Sequence, residues 1–234
     1  MGPRLVFAMD FDGTITTPDA THILRDTFVP KDVAEGIRLN AAVKSPPGRD
    51  WLGAYAAYFP NDPKMLIDLV LRNTEFRPGF LEFVEWARSK GYGLATISNG
   101  YGFYVDPMLR SAGITDIEVY RNDVDFASPP RVVIGHPHPT CKTCASCKVR
   151  CVEELLRDYD RAVFVGDGLG DRFGAARSHA IFGRDKLANF CEGAGIPFTR
   201  WDDFFDIMDS VEKGLKLAEP GEWGLCPADA GHGA

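Results

Sequence analysis

Three largely apolar runs, each leading abruptly into turn-forming polar residues, constrain the fold of this chain more than any other feature. The run RLVFAM (4–9) stops at a pair of aspartates, YGLATIS (92–98) stops at Asn-Gly, and AVFVGDG (162–168) runs into a turn rich in Gly and Asp. Short uninterrupted apolar runs are typical of strands that are buried on both faces. Helical patterns separate such runs in the second part of the chain. The chain is therefore predicted to be an α/β protein with a parallel sheet flanked by helices.

The predicted elements after residue 77 alternate between the two types. The pattern GFLEFVEWARSKG, for example, is amphipathic and ends in a glycine, as helices commonly do. Over the whole of this part of the chain, the apolar patterns predict strands at 92–98, 117–123, 131–135, 162–168 and 180–182. They predict helices at 79–91, 102–112, 148–159, 172–178 and 202–217.

The segment 19–75 departs from this alternation. Its apolar residues have helical spacing, and proline-containing turns interrupt it at several places. We expect three or four helices that form a compact cap inserted between the first two strands. The expected division is a core of residues 1–18 and 76–218, a cap of residues 19–75, and a disordered tail of residues 219–234, which is rich in Gly, Pro and Ala.

The charge balance narrows the class of partner. The 234 residues carry a net charge of −7, so a broad basic surface that neutralises a nucleic-acid backbone is not expected. No apolar run approaches the length that spans a bilayer, and the first residues do not have the pattern of a signal peptide. We therefore expect a cytoplasmic protein with no nucleic-acid or membrane partner. The sequence does not indicate an oligomeric state.

Polar side chains follow three of the predicted strands. Asp10 and Asp12 follow the first strand, Ser98 and Asn99 lie at the end of the second, and Asp167 lies at the end of the third. Ligands of parallel α/β sheets bind beyond the carboxyl ends of the strands, so these side chains are expected to face one crevice.

The two aspartates after the first strand favour a metal site. Asp10 and Asp12 are spaced by one residue, and side chains at this spacing in a strand point the same way. Two close carboxylates repel each other unless a cation lies between them or one of them is protonated. With Asp167 as a further hard oxygen ligand, the set predicts a Mg²⁺ site formed by Asp10, Asp12 and Asp167 and completed by water and a substrate phosphate.

A phosphate bound at this site needs hydrogen-bond donors and positive charge. The hydroxyl of Ser98 and nearby backbone N–H groups can hold phosphate oxygens. Lys148, at the start of a predicted helix, supplies a cation. The predicted phosphate contacts are Thr14, Ser98, Asn99 and Lys148.

Taken together, these segments resemble the four motifs of the haloacid dehalogenase superfamily of phosphotransferases. The motifs stand in order as DFDGT (10–14), TIS (96–98), Lys148 and GDGLGD (166–171). The resemblance extends over nearly the whole chain, from residue 4 to about residue 212. It implies a Rossmann-like core with a helical cap between the first and second motifs, which is where the helical segment lies.

The resemblance implies a role for each acidic residue. Asp10 is expected to be the nucleophile that forms an aspartyl-phosphate, and Asp12 the general acid and base. Asp171 is expected to orient Lys148 or a metal-bound water. Members similar to phosphoserine phosphatase carry an acidic residue nine positions after the nucleophile, where Asp19 lies. Asp19 is thus a candidate substrate contact, and the alternative is that it caps the helix that begins with ATHILRD.

Further segments narrow the resemblance. RPGFLEFVEWARSKGYGLATISNG, HPHPTCKTCASCK and FGRDKLANFCEGAGIPFTRWDDFFDI are similar to the bacterial methionine-salvage phosphatases that act on 2-hydroxy-3-keto-5-methylthiopentenyl 1-phosphate. The resemblance implies a small phosphorylated metabolite as substrate. Other substrates stay open: phosphoserine, phosphocholine-type compounds, and biosynthetic sugar or polyol phosphates. A more distant alternative is a metal-binding interaction module whose phosphatase site is vestigial.

Four cysteines within eleven residues raise a separate question. Their spacing, C-x2-C-x2-C-x3-C, matches a ferredoxin cluster run, but Val152 follows the last of them where proline is expected, and the chain has one such run. Two alternatives stay open, namely reduced thiols without metal and a structural Zn²⁺ site. The candidate zinc ligands are Cys141, Cys144 and Cys147 with His136 or His138.

Overall fold

A seven-stranded sheet forms the centre of the protein in the computed structural model, which describes residues 3–43, 49–141, 144–221 and 223. Neighbouring strands in this sheet are parallel except for the last pair at one edge, which is antiparallel. This confirms the predicted fold class. In spatial order the strands are β6 (Arg131–Val133), β5 (Glu118–Asp125), β4 (Gly93–Tyr101), β1 (Leu5–Met9), β7 (Arg161–Gly166), β8 (Ala180–Gly183) and β9 (Thr199–Arg200).

The central strand β1 is buried on both faces. Phe7 and Met9 point into one apolar cluster, and the alternating residues Val6 and Ala8 point into the other. This alternation explains why the run is apolar without interruption. The helices that cover the two faces are α5 (Phe80–Lys90), α6 (Gly102–Ser111), α7 (Lys148–Leu155), α8 (Arg172–Ala175), α9 (Asp185–Ala194) and α10 (Phe204–Glu212).

The register of the sheet places the ends of three strands together. Met9 is paired with Thr96 of β4 on one side and with Val165 of β7 on the other. The next residue, Asp10, donates its backbone N–H to the carbonyl of Val165 at 2.9 Å. Side chains that follow β1, β4 and β7 are therefore neighbours at the carboxyl edge of the sheet, as the sequence predicts.

The segment between the first two large strands contains four helices in the described residues: α1 (Ala20–Phe28), α2 (Lys31–Val43), α3 (Arg49–Ala56) and α4 (Pro63–Asn73). A small antiparallel sheet of β2 (Thr16–Thr17) and β3 (Glu75–Phe76) joins the place where the chain leaves the large sheet to the place where it returns. The division of the chain into a core and a cap stays a prediction. Most of the predicted tail, residues 222 and 224–234, lies outside the described residues.

Within the described part of the chain, none of the helices combines the length and the apolar character that crossing a membrane requires.

Candidate active site

The site is built around an ammonium group that lies between two carboxylates. Lys148, the first residue of α7, donates from Nζ to Oδ1 of Asp171 at 2.6 Å and to Oδ1 of Asp10. All three side chains are buried. Because buried charges are costly unless they are paired, this arrangement fixes the end of β1, the start of α7 and the turn after β7 relative to one another.

Burial and the neighbouring charges change the pKa values of Lys148 and Asp10. Burial by itself would lower the pKa of Lys148, but the charges of Asp10 and Asp171 outweigh burial and raise it above its ordinary value. Burial, followed by repulsion from Asp171, raises the pKa of Asp10 well above its usual range, and Lys148 opposes the rise. Lys148 therefore lowers the pKa of Asp10 less than burial and the other carboxylates raise it.

Asp167 lies close to Asp10 and Asp171, and a residue of the turn after β1 holds its side chain. Its Oδ1 accepts a hydrogen bond of 2.7 Å from the hydroxyl of Thr14. Gly13, which precedes Thr14, packs against the Asp167 carboxylate. It has φ +84°, and a Cβ atom there would lie 2.8 Å from Oδ2 of Asp167. Burial, followed by repulsion from Asp171, raises the pKa of Asp167 to about 7. Thr14, a predicted phosphate contact, is itself buried and serves here as a partner of Asp167.

The donor set fits a divalent cation. Carboxylate oxygens of Asp10, Asp167 and Asp171 all lie within 4.8 Å of one another, and they form the single such group that the described residues contain. Oxygen ligands and excess negative charge are what Mg²⁺ requires. Asp171 is committed to other contacts as well, because its Oδ2 accepts the backbone N–H groups of Asp167 at 3.0 Å and Gly168 at 2.7 Å. Its Oδ1 accepts the hydrogen bond from Lys148, and its Oδ2 shapes the turn that carries Asp167.

The Asp12 side chain lies outside this group, although the sequence predicted it as a third metal ligand with Asp10 and Asp167. The prediction applied the side-chain alternation of a strand to Asp10 and Asp12, but β1 ends at Met9, as predicted, and the chain then turns. The alternation of side chains no longer applies, and the Asp12 carboxylate points instead toward α6. Its Oδ2 accepts a hydrogen bond of 2.7 Å from Tyr104 and lies 3.4 Å from the hydroxyl of Ser98.

The environment of Asp12 favours its protonated form. Burial, followed by the negative charge of Asp19, raises the pKa of Asp12 to about 8, and the hydrogen bond from Tyr104 opposes the rise. Its Oδ1 atom is buried and has no hydrogen-bond partner among the described residues. Such an oxygen can carry a proton and pass it to a bound molecule.

Ser98 and Asn99 lie where β4 passes the site. The hydroxyl of Ser98 is buried and accepts the backbone N–H of Gly100 at 2.8 Å. The backbone carbonyl of Asn99 accepts Nδ2 of Asn122 at 3.1 Å, and Oδ1 of Asn122 accepts the hydroxyl of Ser146 at 3.0 Å. This buried chain of hydrogen bonds links the end of β4 to the residues just before Lys148.

Several residues of the site were not predicted from the sequence. Arg77 donates from Nε to the carbonyl of Thr14 at 2.8 Å and from Nη2 to the carbonyl of Gly13, and so holds the turn after β1. The sequence offered a weak signal for Arg77, namely its position before Pro-Gly at the end of the helical segment. For Asn122 and Tyr104 it offered none.

Asp19 acts as a helix cap in the structure. It precedes α1, and its Oδ1 accepts the backbone N–H of His22 at 2.9 Å. This is the alternative that the sequence left open beside a substrate contact. The contact with substrate stays a prediction.

The structure does not support the predicted zinc site. Among the described residues, the candidate ligands form no group of three whose ligand atoms are close enough to share an ion. Nδ1 of His138 instead accepts the backbone N–H groups of Thr140 at 3.3 Å and Cys141 at 3.1 Å, and the ring of His136 packs edge-on against Tyr120. The candidates concerned are Cys141, Cys144, Cys147, His136 and His138.

This fold and site are those of a known enzyme class. The model of the haloacid dehalogenase-like hydrolase family matches residues 7–175, which is more than half of the chain. The chain belongs to the haloacid dehalogenase-like hydrolase family, and within it the chain is a hydrolase of phosphate monoesters.

Named relatives cover nearly the whole chain. A 2-hydroxy-3-keto-5-methylthiopentenyl-1-phosphate phosphatase of Exiguobacterium sibiricum is 32% identical over 87% of this chain and 94% of the relative. The phosphatase of the same name from Geobacillus kaustophilus is 30% identical over 91% of this chain and 98% of the relative. The one from Brevibacillus brevis is 28% identical over 91% and 97%.

Solved structures with the same fold are more distant in sequence. A phosphoserine phosphatase in the form of a phospho-aspartyl intermediate analogue has a TM-score of 0.70 and 14% identity, and the match covers 89% of this chain and 99% of that one. A cytosolic 5′-nucleotidase IIIB bound to cytidine has a TM-score of 0.62 and 18% identity over 90% and 84%. At these identities the likeness shows a shared fold.

Proposed function

We propose that this enzyme hydrolyses the phosphomonoester of a small metabolite, and that the metabolite is 2-hydroxy-3-keto-5-methylthiopentenyl 1-phosphate. The observation that carries the reaction is the buried Asp10–Lys148–Asp171 group beside Asp167, with Asp12 held apart on the other side of the turn after β1. The names of relatives that match about nine tenths of the chain support the substrate.

Asp10 is the proposed nucleophile. One of its oxygens attacks phosphorus, so that an Asp10–phosphorus bond forms while the bond between phosphorus and the alcohol oxygen breaks. Lys148 reduces the repulsion between the Asp10 carboxylate and the incoming phosphate and holds Asp10 in one orientation. Mg²⁺, which haloacid dehalogenase phosphatases generally use, would be held by Asp10 and Asp167 and would supply the remaining positive charge.

Asp12 is the proposed general acid and base. In its protonated form it donates a proton to the departing alcohol, and as a carboxylate it then takes a proton from the water that attacks the aspartyl-phosphate. Two carboxylates with different environments can thus serve two roles: Asp10 is paired with an ammonium group, whereas Asp12 is paired with neutral hydroxyl groups.

The hydroxyl of Ser98 and the side chain of Asn99 are the proposed contacts of the phosphate oxygens, together with Lys148. Nδ2 of Asn99 is the amide atom that can donate to a phosphate oxygen, because Oδ1 can only accept. Oδ1 is buried and has no hydrogen-bond partner among the described residues. A buried acceptor of this kind is expected to gain a donor from water or from a hydroxyl group of a bound ligand.

Residues 19–75 are the proposed cap. Both of its connections pass through the small β2–β3 sheet, next to the turn that carries Asp12 and Thr14. A cap attached there can close over a small substrate and exclude water. A closed cap and a net charge of −7 both disfavour nucleic acids as substrates. The cytoplasmic location stays a prediction.

A phosphate-release assay over a panel of metabolites tests this function. The panel includes 2-hydroxy-3-keto-5-methylthiopentenyl 1-phosphate, phosphoserine, phosphocholine, and a sugar and a polyol phosphate, each with Mg²⁺ and with EDTA. We expect the highest kcat/KM for the first compound, with loss of activity in EDTA and in the Asp10→Asn variant. A higher kcat/KM for another compound would replace the proposed substrate. Absence of hydrolysis for every compound would favour the vestigial interaction module.

A further inference from the structure

Tyr104 is a buried residue whose hydroxyl lies between the proposed proton donor and the first helix of the proposed cap. The hydroxyl oxygen is 2.7 Å from Oδ2 of Asp12 and 3.1 Å from Oγ1 of Thr21, which lies in the first turn of α1. Tyr104 and Thr21 are both buried. The three side chains come from the turn after β1, from α6 and from α1.

The direction of the two hydrogen bonds follows from the number of protons. A tyrosine hydroxyl has one proton, and burial raises the pKa of Tyr104 well above its ordinary value, so the hydroxyl keeps that proton. Because Tyr104 donates to Oδ2 of Asp12, the hydroxyl of Thr21 must donate to Tyr104. Oδ2 is therefore the Asp12 oxygen that accepts in this series of hydrogen bonds. Oδ1 is the oxygen left for proton transfer.

The surroundings of Tyr104 leave it little freedom to move. Its ring contacts Phe11 in the turn after β1 and packs edge-on against Tyr101 and Phe103. Gly100 faces it from β4, and a Cβ atom at Gly100 would overlap with the Tyr104 hydroxyl and with Oδ2 of Asp12. The absence of a side chain at this position is what allows the hydroxyl and the carboxylate to meet.

We propose that Tyr104 is a positioning residue that holds Asp12 in the orientation in which it protonates the departing alcohol, and that Thr21 couples this orientation to the cap. The inference rests on the proposed role of Asp12 as the general acid. It adds that the proton donor is aligned by a residue outside the four motifs, and that a residue of the cap takes part in the alignment.

The leaving group of the substrate provides a test that distinguishes positioning of Asp12 from a purely structural role. Phenyl phosphate and p-nitrophenyl phosphate have similar shapes, but phenolate is the more basic departing group and depends more on protonation. We expect Tyr104→Phe to lower kcat/KM about tenfold or more for phenyl phosphate and less than about threefold for p-nitrophenyl phosphate, since general acid catalysis contributes about a hundredfold or more in total.

Two further variants make the test specific. Thr21→Val removes the hydroxyl that donates to Tyr104 with little change in shape, and we expect a smaller loss with the same preference for phenyl phosphate. It also provides the readout if Tyr104→Phe does not fold. Tyr101→Phe is the matched control, because it removes a buried tyrosine hydroxyl that donates to the carbonyl of Leu52 at 2.9 Å and does not contact Asp12. This control is expected to lose activity equally on both substrates or not at all.

The outcomes separate this inference from the proposed function. Equal losses on the two substrates in Tyr104→Phe and Thr21→Val, or no loss in either, would overturn the positioning role while the phosphatase activity of the wild-type enzyme stands. If the wild-type enzyme hydrolyses neither compound nor any member of the metabolite panel, the proposed function itself is wrong.

Discussion

The hydroxyl of Thr14 donates a hydrogen bond of 2.7 Å to Oδ1 of Asp167, although 153 positions of sequence separate the two residues. The contact joins the turn after β1 to the turn after β7, and it orients a carboxylate that we propose as a metal ligand. Partners that orient metal ligands typically change metal affinity by about tenfold or more when they are removed.

Thr14→Val is therefore expected to raise the Mg²⁺ concentration for half-maximal activity by about tenfold, with kcat close to that of the wild type at saturating Mg²⁺. Valine keeps the shape of this buried side chain and lacks the hydroxyl. A Mg²⁺ titration of initial rates measures the effect. Thr14→Ser keeps the hydroxyl and serves as the control, and an unchanged Mg²⁺ requirement in Thr14→Val would show that the hydrogen bond does not support a metal ligand.

Lys148→Met is expected to abolish turnover and to lower the free energy of unfolding by about 3 kcal/mol, because it leaves Asp10 and Asp171 buried without their cation. Denaturant unfolding and a phosphate-release assay measure the two effects. The matched control is Lys64→Met, since Lys64 pairs with Asp68 on the surface, where an ion pair contributes little. A Lys148→Met protein as stable as the wild type would contradict the buried arrangement of the three charges.

Gly100→Ala is expected to lower kcat/KM by about a hundredfold, since the added methyl group overlaps with the Tyr104 hydroxyl and the Asp12 carboxylate and displaces one of them. The variant is assayed with phenyl phosphate, the substrate that depends more on protonation by Asp12, and is checked for folding by circular dichroism. Gly53→Ala, in helix α3, meets no atom within 4 Å and provides the control. Activity of Gly100→Ala equal to that of Gly53→Ala would mean that the close approach at Gly100 has no role in catalysis.

Asn122→Ala is expected to lower the free energy of unfolding by about 2 kcal/mol, because it leaves the Ser146 hydroxyl and the Asn99 carbonyl without their buried partner. Loss of this link should also raise KM, since the end of β4 and the start of α7 are no longer joined. Ser146→Ala removes one of these hydrogen bonds and should have the smaller effect on both quantities. A KM that stays constant in Asn122→Ala would limit the network to a structural role.

The sequence predicted the sheet and part of the acidic cluster, namely Asp10 and Asp167, because both depend on short-range patterns. An uninterrupted apolar run such as residues 5–9 is typical of a doubly buried strand, and the residues that follow parallel strands meet at one edge whatever the details of packing. The proximity of Asp10 and Asp167 follows from these two facts alone. Lys148 was found by its place at a helix start and by the resemblance to a family motif.

What the sequence did not predict depends on turns and on side-chain direction. Asp12 lies outside the acidic group because the alternation of side chains holds only within a strand, and the chain turns after Met9. Helix α9 was not predicted, since Arg184 precedes it in place of a capping side chain and it includes Gly193. Tyr104 resembles a core aromatic residue in the sequence, because nothing local indicates that its hydroxyl reaches Asp12.

The same limit applies to the cysteine cluster. Spacing in sequence indicates a metal site only if the loop folds so that the thiols converge, and here the backbone around His138 and Cys141 forms a turn closed on the imidazole. Sequence spacing carries no information about that turn.

The most direct test of this account is the identity of the residue that becomes phosphorylated. The enzyme is mixed with p-nitrophenyl phosphate and Mg²⁺, quenched in acid and treated with borohydride, which reduces an aspartyl-phosphate to homoserine. Mass spectrometry of the digested protein then locates the change. We expect homoserine at position 10 in the wild type only when substrate is present, and its absence in Asp10→Asn. Homoserine at position 12 or 167, or none at any position while substrate is being turned over, would contradict the assignment of Asp10 as the nucleophile.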